Sequence, residues 1–310
     1  MKKDNVEIKS GSEILSGTLT YSSDQKNLPL VILVAGSGLV DRNENHKKLK
    51  INLLSSIASH FEKFNIATLR YDKRGVGCST GDYWTTGLFD NIEDAKAAFA
   101  FVKGTPAVDP THIFMLGHSE GAIITAHIAS QQLGLSGAIV LSGTARSGME
   151  VLKWQLKKVL QGLPSWQKKI IRFFRIDLHK AQVKTLEKIK RSSKDKMRFK
   201  LFSIINAKWM REFIEYDPTL DLKKISIPIL AITGDKDIQT PAEDLEMIKK
   251  LAPVQIKAKV ITDLTHIVRR DTEQTSVSHY KKLIMQPVDS EVLHLMTEWI
   301  LNLSALNEKA

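Results

Sequence analysis

Six short, continuous apolar runs recur along the chain, and helix-like stretches separate them. These runs cover residues 30–34, 67–71, 113–116, 138–141, 229–232 and 259–262. A strand with a continuous rather than alternating apolar pattern is buried on both faces, which is typical of a parallel sheet between two layers of helices. The sequence therefore predicts an α/β fold with a mostly parallel central sheet, its strands joined by right-handed crossovers.

Both ends of the chain add elements to this predicted sheet. Residues 6–9 and 14–21 flank a Ser-Gly-Ser turn and are typical of an antiparallel hairpin, which we expect at one edge of the sheet. Near the other end, Asp289 is a good N-cap residue and predicts a final helix that continues to about Leu303.

Residues 146–218 interrupt the alternation of strands and helices. They have helical periodicity, no convincing strand, and aromatic residues interleaved with lysines, as in VLKWQLKKVLQGLPSWQKKIIRFFRIDLHK. Between Arg146 and Arg211 there are 19 Lys and Arg against 4 Asp and Glu, a net charge of +15 in a chain whose total is +11. We therefore expect a basic helical cap at 146–218, inserted between two parts of the α/β core at 1–145 and 219–310. We refer to this segment as the predicted cap.

The composition limits the kinds of site that the chain can form. Its 310 residues are 43% hydrophobic and 25% charged, which suffices for one large core with an inserted subdomain. A single cysteine excludes an internal disulfide, and no Cys or His cluster has zinc-ligand spacing. We expect no cofactor and no metal. Because no stretch looks like a signal peptide or a transmembrane span, we expect a cytoplasmic protein.

The stretch MLGHSEGAII, residues 115–124, places a serine between two glycines where a strand-length apolar run gives way to a helical pattern. Glycines two residues either side of Ser119 would let the chain turn sharply and leave the serine side chain projecting from the carboxyl edge of the sheet. That geometry is a nucleophile elbow. The pattern alone is weak, so a serine in an ordinary Gly-rich turn is the alternative.

Four motifs together resemble those of the α/β-hydrolase family, over nearly the whole chain outside the predicted cap. VAGSGLVDRNEN, residues 34–45, is similar to the family's oxyanion loop, with Ala35 where many relatives have histidine. LRYDKRGVGCSTG, residues 69–81, resembles the loop after the fourth strand. GHSEG is similar to the elbow, and TGDKDIQTP with LTHIV to the loops that carry the acid and the base.

A serine hydroxyl is a poor nucleophile at neutral pH, so this chemistry requires a base and a third group that orients the base. The resemblance implies Ser119 as nucleophile, Asp237 as acid and His266 as base, in the family's chain order. Asp235 is the competitor for the acid, and either aspartate could be only a turn residue. His279 is the second choice for the base.

Two further histidines and the polar residues of the oxyanion loop complete the set of candidates. His294 lies in the predicted last helix, and His118 is expected to be a packing residue because neighbouring side chains at a tight turn point apart. The resemblance implies that the oxyanion is held by the backbone N–H groups of Glu120 and Ser37, with Gly38 as an alternative to Ser37. We expect Asp41 and Arg42 to form a local ion pair that holds the loop, with a substrate contact as the alternative.

The predicted cap is expected to shape the substrate pocket. Its large apolar residues could form an apolar lining of this pocket, but we expect most of them to form the cap's own core and its contact with the sheet. Its basic residues are expected to be a solvated face, or else to attract an anionic substrate or an anionic membrane surface. Nucleic acid is a poor fit because no recognition motif accompanies the charge. The apolar set is Trp154, Val159, Leu160, Leu163, Trp166, Ile170, Ile171, Phe173 and Phe174.

Together these features predict a serine hydrolase that cleaves carboxylic esters through an acyl-enzyme, acting on a small, anionic or apolar acyl substrate. Thioesters and small peptides follow the same acyl-enzyme path, so a thioesterase or an aminopeptidase is the enzymatic alternative. The alternative of another class is a non-catalytic protein of the same fold that binds a ligand or a membrane surface. The sequence leaves the oligomeric state open.

Overall fold

An eight-stranded sheet forms the centre of the computed structural model, which describes residues 2–174, 177–199, 203–273 and 276–307. Numbered along the chain, its strands are β1 Lys2–Ser10, β2 Glu13–Tyr21, β3 Leu28–Val34, β6 Ala67–Tyr71, β7 Val108–His118, β8 Gly137–Leu141, β11 Ile229–Gly234 and β12 Ile256–Ile261. Across the sheet they follow the order β1-β2-β6-β3-β7-β8-β11-β12. The pairs β1–β2 and β2–β6 are antiparallel and all the others are parallel. The predicted mostly parallel α/β sheet is therefore confirmed.

Helices cover both faces of the sheet, as continuous apolar strands require. Helices α1 Leu53–Glu62 and α11 Ser290–Asn307 bury Phe61 and Trp299 against one face. Helices α2 Leu88–Lys103 and α3 Glu120–Ser130 pack on the other face. The remaining elements around the sheet are β4 Asn45–His46 and β5 Leu49–Lys50 in the loop after β3, α9 Asp244–Leu251 and α10 Tyr280–Leu283.

The chain between β8 and β11 contains the whole of the predicted cap, residues 146–218. It forms α4 Gly148–Gln161, α5 Ser165–Phe173, α6 Leu178–Lys190, β9 Lys196–Phe199, β10 Ser203–Asn206, α7 Ala207–Glu215 and α8 Pro218–Leu222. The expectation of no strand was wrong, because β9 and β10 form an antiparallel hairpin. The sequence KMRF alternates charged and apolar residues, but a run of four is too short to separate a strand from a helix.

The expectation that the apolar residues of the predicted cap form its core was wrong for α5. Trp166, Ile170 and Phe173 are 61%, 45% and 81% exposed, and Phe174 is 66% exposed. No residue of α5 is fully buried. In the described ranges, no helix combines the length and the apolar character that crossing a membrane requires.

Candidate active site

Ser119 lies alone between the end of β7 and the start of α3. Its backbone has φ 56° and ψ −115°, a conformation that residues with a side chain rarely adopt. Its N–H donates to the carbonyl of Leu141 at the end of β8, at 3.0 Å. Strained backbone of this kind costs about 1 to 3 kcal/mol and persists where the surrounding structure determines it. The strand, the strained serine and the helix together have the geometry of a nucleophile elbow.

The two glycines beside Ser119 are required by space. A Cβ on Gly117 would lie 1.8 Å from the carbonyl oxygen of Gly121, and a Cβ on Gly121 would lie 2.1 Å from the carbonyl oxygen of Val34. Neither glycine has a positive φ, whereas Ser119 does. The glycines therefore let α3 approach β3 and β7 closely, and the serine itself takes the unusual dihedral angles.

Asp237 and His266 meet at the carboxyl ends of β11 and β12. His266 Nδ1 lies 2.8 Å from Asp237 Oδ2, and both side chains are buried. The other carboxylate oxygen, Asp237 Oδ1, accepts the N–H groups of Gln239 and Thr240 at 2.7 and 2.8 Å. These bonds hold the carboxylate in place while its Oδ2 contacts the imidazole.

The competing acid and bases have other partners. Asp235 Oδ1 accepts the N–H of Asp263 at 2.7 Å and so links two loops. His279 Nδ1 lies 3.0 Å from Asp271 Oδ2. His294 is exposed on α11. Of the predicted candidates, the structure therefore brings Asp237 and His266 together and separates Asp235, His279 and His294 from them.

Ser119 is connected to His266 through its neighbour His118. No side-chain hydrogen bond joins Ser119 and His266 in the described structure. The rings of His118 and His266 are 4.7 Å apart between centroids, and His118 Nε2 lies 2.8 Å from the carbonyl oxygen of His266. His118 is therefore more than a packing residue, because it holds the backbone of His266 beside the elbow.

The second nitrogen of His118 faces Glu44, a residue that the sequence did not single out. His118 Nδ1 lies 2.6 Å from Glu44 Oε1, which also accepts the N–H of Gly36 at 2.7 Å. Because both ring nitrogens face acceptors, the geometry indicates a protonated His118 beside an ionised Glu44. A buried charge pair therefore links the loop after β3 to the elbow.

The pKa directions of this pair agree with that assignment. Burial alone would lower the pKa of His118, but the charge and hydrogen bond of Glu44 outweigh it and raise the pKa above 6.5. Burial alone would raise the pKa of Glu44, but His118 outweighs it and holds the pKa below 4.5. Both pKa directions therefore favour the charged form of each group.

The loop after β3 lies directly against the elbow. A Cβ on Gly36 would be 3.2 Å from Ser119 Cβ, and the Gly36 carbonyl accepts a hydrogen bond from Lys73 Nζ at 2.5 Å. Ser37, the next residue, lines the same cavity as Ser119. Glu120 is the first residue of α3, where a helical N–H has no intrahelical acceptor.

The expected ion pair between Asp41 and Arg42 was wrong. Arg42 Nη2 pairs with Asp72 Oδ2 at 2.6 Å, in the loop after β6. Asp41 Oδ1 instead accepts the N–H groups of Asn43 and Asn45, both at 2.9 Å. Consecutive side chains in a turn point in different directions, so Asp41 and Arg42 bind different partners. Arg42 thereby connects the loop after β3 to the loop after β6.

The side chain of Glu120 links the elbow to the predicted cap. Its Oε1 accepts Asn91 Nδ2 at 2.9 Å and Trp209 Nε1 of α7 at 2.6 Å. Its Oε2 lies 3.5 Å from Lys73 Nζ, the same ammonium that binds the Gly36 carbonyl. The sequence motif predicts a role only for the backbone N–H of Glu120. The sequence signal for its side chain is a carboxylate at the start of a mostly apolar helix.

A cavity of about 240 Å³ opens beside Ser119. Its lining combines hydroxyl and amide side chains with apolar ones from α3, α4 and α7. Among the described residues, no group of three or more potential metal ligands comes together. The lining residues are Ser37, Ser119, Glu120, Ile123, Ser142, Thr144, Val151, Leu152, Gln155, Trp209, Phe213, Gln239 and Thr240.

The mostly parallel eight-stranded sheet, the strained serine after β7 and the loops that follow β11 and β12 define the α/β-hydrolase class of folds. Within that class, residues 19–273 match the family described as serine aminopeptidase, S33. This match covers most of the chain, which therefore belongs to that family. The predicted superfamily is confirmed.

Individual relatives include an esterase and two solved structures. Esterase EstD of Thermotoga maritima is 30% identical over 290 residues, which are 92% of this chain and 65% of that protein. The chain thus spans about two thirds of the length of this curated relative. Est1E of Butyrivibrio proteoclasticus, with ferulic acid bound, has a TM-score of 0.65 at 19% identity, and the match covers 97% of this chain and 99% of that chain. Proline iminopeptidase of Mycobacterium smegmatis has a TM-score of 0.65 at 14% identity, and the match covers 98% of this chain and 100% of that chain.

Proposed function

We propose that this protein hydrolyses carboxylic esters through an acyl-enzyme formed on Ser119. The observation that carries the proposal is the buried Asp237–His266 hydrogen bond of 2.8 Å beside a serine held at φ 56°. The similarity to an esterase supports the same reaction. The hydrogen bond from Ser119 Oγ to His266 is expected to form when substrate binds, since catalytic hydrogen bonds are often long without it.

In the proposed mechanism, His266 takes the Ser119 proton as the hydroxyl attacks the ester carbonyl. The N–H groups of Glu120 and Ser37 stabilise the oxyanion, and Asp237 orients and stabilises the imidazolium. His266 then protonates the departing alcohol. Water, activated by the same imidazole, attacks the acyl-enzyme and releases the acid.

The cavity supports an ester over an aminoacyl substrate. A free α-ammonium group would need a carboxylate that is not already engaged. Among the described lining residues the one carboxylate is Glu120, and Asn91, Trp209 and Lys73 already contact it. The cavity volume of about 240 Å³ is also below the roughly 300 to 1,000 Å³ of typical ligand sites, so short acyl groups are favoured. We further propose that residues 146–218 act as a cap, since α4 and α7 line this cavity.

The proposal is tested by assaying purified protein against esters of graded acyl length, acyl-CoA thioesters and aminoacyl amides. Short esters should be cleaved fastest, and Ser119→Ala should lower kcat by on the order of a million-fold if the three residues act as a unit. Ser142→Ala is the matched control, because Ser142 also directly follows a strand, has a positive φ and lines the same cavity. Equal loss in both variants, or preferred cleavage of amides or thioesters, would contradict the proposal.

A further inference from the structure

Helix α5 presents its apolar side chains outward. Trp166, Ile170 and Phe173 are spaced four and three residues apart and therefore share one face of the helix. All three are exposed, as is Phe174 directly after the helix. Gln167 and Ile171, on another side of the helix, are only partly exposed. The apolar face is thus directed away from the body of the protein.

Basic residues adjoin this apolar face. Lys168, Lys169 and Arg172 are exposed on the remaining side of α5. Residues 151–176 contain seven Lys and Arg and no Asp or Glu. A helix with Trp and Phe on one side and Lys and Arg on the other is typical of helices that lie in the surface of an anionic membrane. With nine residues, α5 is too short to span a bilayer.

We propose that the exposed face of α5 binds the surface of an anionic lipid bilayer. The apolar side chains enter the boundary between headgroups and acyl chains, and the basic side chains contact the lipid phosphates. A second copy of the chain is disfavoured as the occupant, because the same acid-free basic stretch would face itself and repel. This binding is separate from the proposed hydrolysis and does not depend on it.

The position of α5 brings a bound membrane near the cavity. Val151, Leu152 and Gln155 of α4 line the cavity, and α4 ends at Gln161. Helix α5 begins four residues later, at Ser165. The proposed membrane contact and the cavity wall are therefore consecutive helices of one segment.

The test is sedimentation of the full chain with vesicles. The wild-type protein should bind vesicles of equimolar phosphatidylcholine and phosphatidylglycerol, and binding should fall as salt is raised. It should bind phosphatidylcholine vesicles at least roughly tenfold more weakly. The double substitution Trp166→Ser with Phe173→Ser should weaken binding to the anionic vesicles by roughly tenfold or more. Met285→Ser is the matched control, because Met285 is 84% exposed and lies outside the predicted cap.

Unfolding midpoints of the variants should equal that of the wild type, since these side chains are exposed, and this excludes a folding defect. Unchanged binding in the double variant, equal binding to neutral vesicles, or no binding at all would overturn the proposal. Light scattering without vesicles provides the other decisive outcome. A wild-type dimer that the double substitution dissociates would make this face an interface between two copies instead.

Discussion

Helices α5 and α7 contact the rest of the protein in opposite ways. Each has nine residues, each comes from the same basic segment, and each carries a tryptophan. In α7, Phe213 and Ile214 are buried and Trp209 bonds to Glu120. In α5, Trp166 and Phe173 are exposed. Aromatic content therefore does not decide which helix is anchored. What distinguishes α7 is the set of polar partners that helices α2 and α3 supply.

The contacts of α7 explain its anchoring. Lys208 Nζ pairs with Asp90 Oδ2 at 2.6 Å, and Glu212 accepts the N–H of Phe89 at 3.0 Å. The ring of Trp209 stacks on Phe213 at 4.8 Å between centroids. Helix α5 has no such set of partners in the described part of the chain. We therefore expect substitutions on α7 to destabilise the fold and equivalent substitutions on α5 to leave it intact.

The largest effect is expected at Glu120, where the anchoring of α7 meets the elbow. Glu120→Ala would leave Asn91 Nδ2 and Trp209 Nε1 without their acceptor, and it would remove the carboxylate that pairs with Lys73 Nζ. Truncating one partner of a buried charge network costs about 3 to 5 kcal/mol, and we expect that loss in the free energy of unfolding by urea. Glu298→Ala, on the exposed side of α11, should change it by less than about 0.5 kcal/mol. Similar values for both variants would mean that Glu120 does not anchor α7.

The two tryptophans give a direct pairwise test. Trp209→Ala removes a half-buried ring and a hydrogen bond to a buried carboxylate, so it should cost about 2 to 3 kcal/mol of unfolding free energy. Trp166→Ala should cost less than about 0.5 kcal/mol because its ring is 61% exposed. Thermal unfolding of both variants measures the difference. A destabilised Trp166→Ala protein would show that α5 is packed after all.

Asn206, the N-cap residue of α7, is expected to contribute less to the free energy of unfolding. Asn206 accepts the N–H of Trp209 at 2.9 Å as the N-cap of α7 and donates to the carbonyls of Tyr83 and Thr86. Asn206→Ala should therefore cost about 1 to 2 kcal/mol. Asp177→Ala is the control, because Asp177 only caps the exposed start of α6 and should cost at most about 1 kcal/mol. Equal losses of unfolding free energy in the two variants would mean that Asn206 stabilises the protein only as a helix cap, and that its bonds to Tyr83 and Thr86 add nothing.

The smallest effect is expected from pH, which removes a charge and leaves every side chain in place. The pKa of His118 is raised, so its stabilising contribution is complete below the unfolded histidine value and is lost as pH rises through the folded value. The pKa of Glu44 is lowered, so its contribution is lost only as pH falls through that lowered value. Urea midpoints of the wild type should fall from neutral to alkaline pH more steeply than those of Glu44→Gln.

An NMR titration of the histidine ring protons checks the same pair independently. The His118 imidazole should titrate above 6.5 in the wild type and at lower pH in Glu44→Gln. A wild-type value below 6.5 would mean that His118 is neutral and that the two ring nitrogens do not both donate.

The sequence was informative where strand geometry dictates the outcome. The family resemblance implied Asp237 and His266, and the common edge at which parallel strands end explains why the loops after β11 and β12 bring these two residues together. It was uninformative where the partner comes from an unrelated loop. Arg42 pairs with Asp72, 30 residues away, and not with its neighbour. Nothing in local pattern indicates such a pairing.

Two further failures have the same origin. The charge pair of Glu44 and His118 joins the loop after β3 to the end of β7, and their close approach depends on Gly36 lacking a side chain. Phe173 is exposed because no other element packs on that face of α5 in the described part of the chain. An amphipathic sequence pattern is the same whether the apolar face of a helix is packed or exposed. Periodicity predicts that a helix has an apolar face, but tertiary contacts decide where that face points.

The most direct measurement of the central claim is covalent labelling by a fluorophosphonate probe, with the labelled peptide identified by mass spectrometry. We predict that the wild-type protein is labelled at Ser119 and that His266→Ala, correctly folded, is not labelled at a comparable rate. Absence of label on folded wild-type protein, label on another serine, or undiminished labelling of Ser119 in His266→Ala would contradict the account.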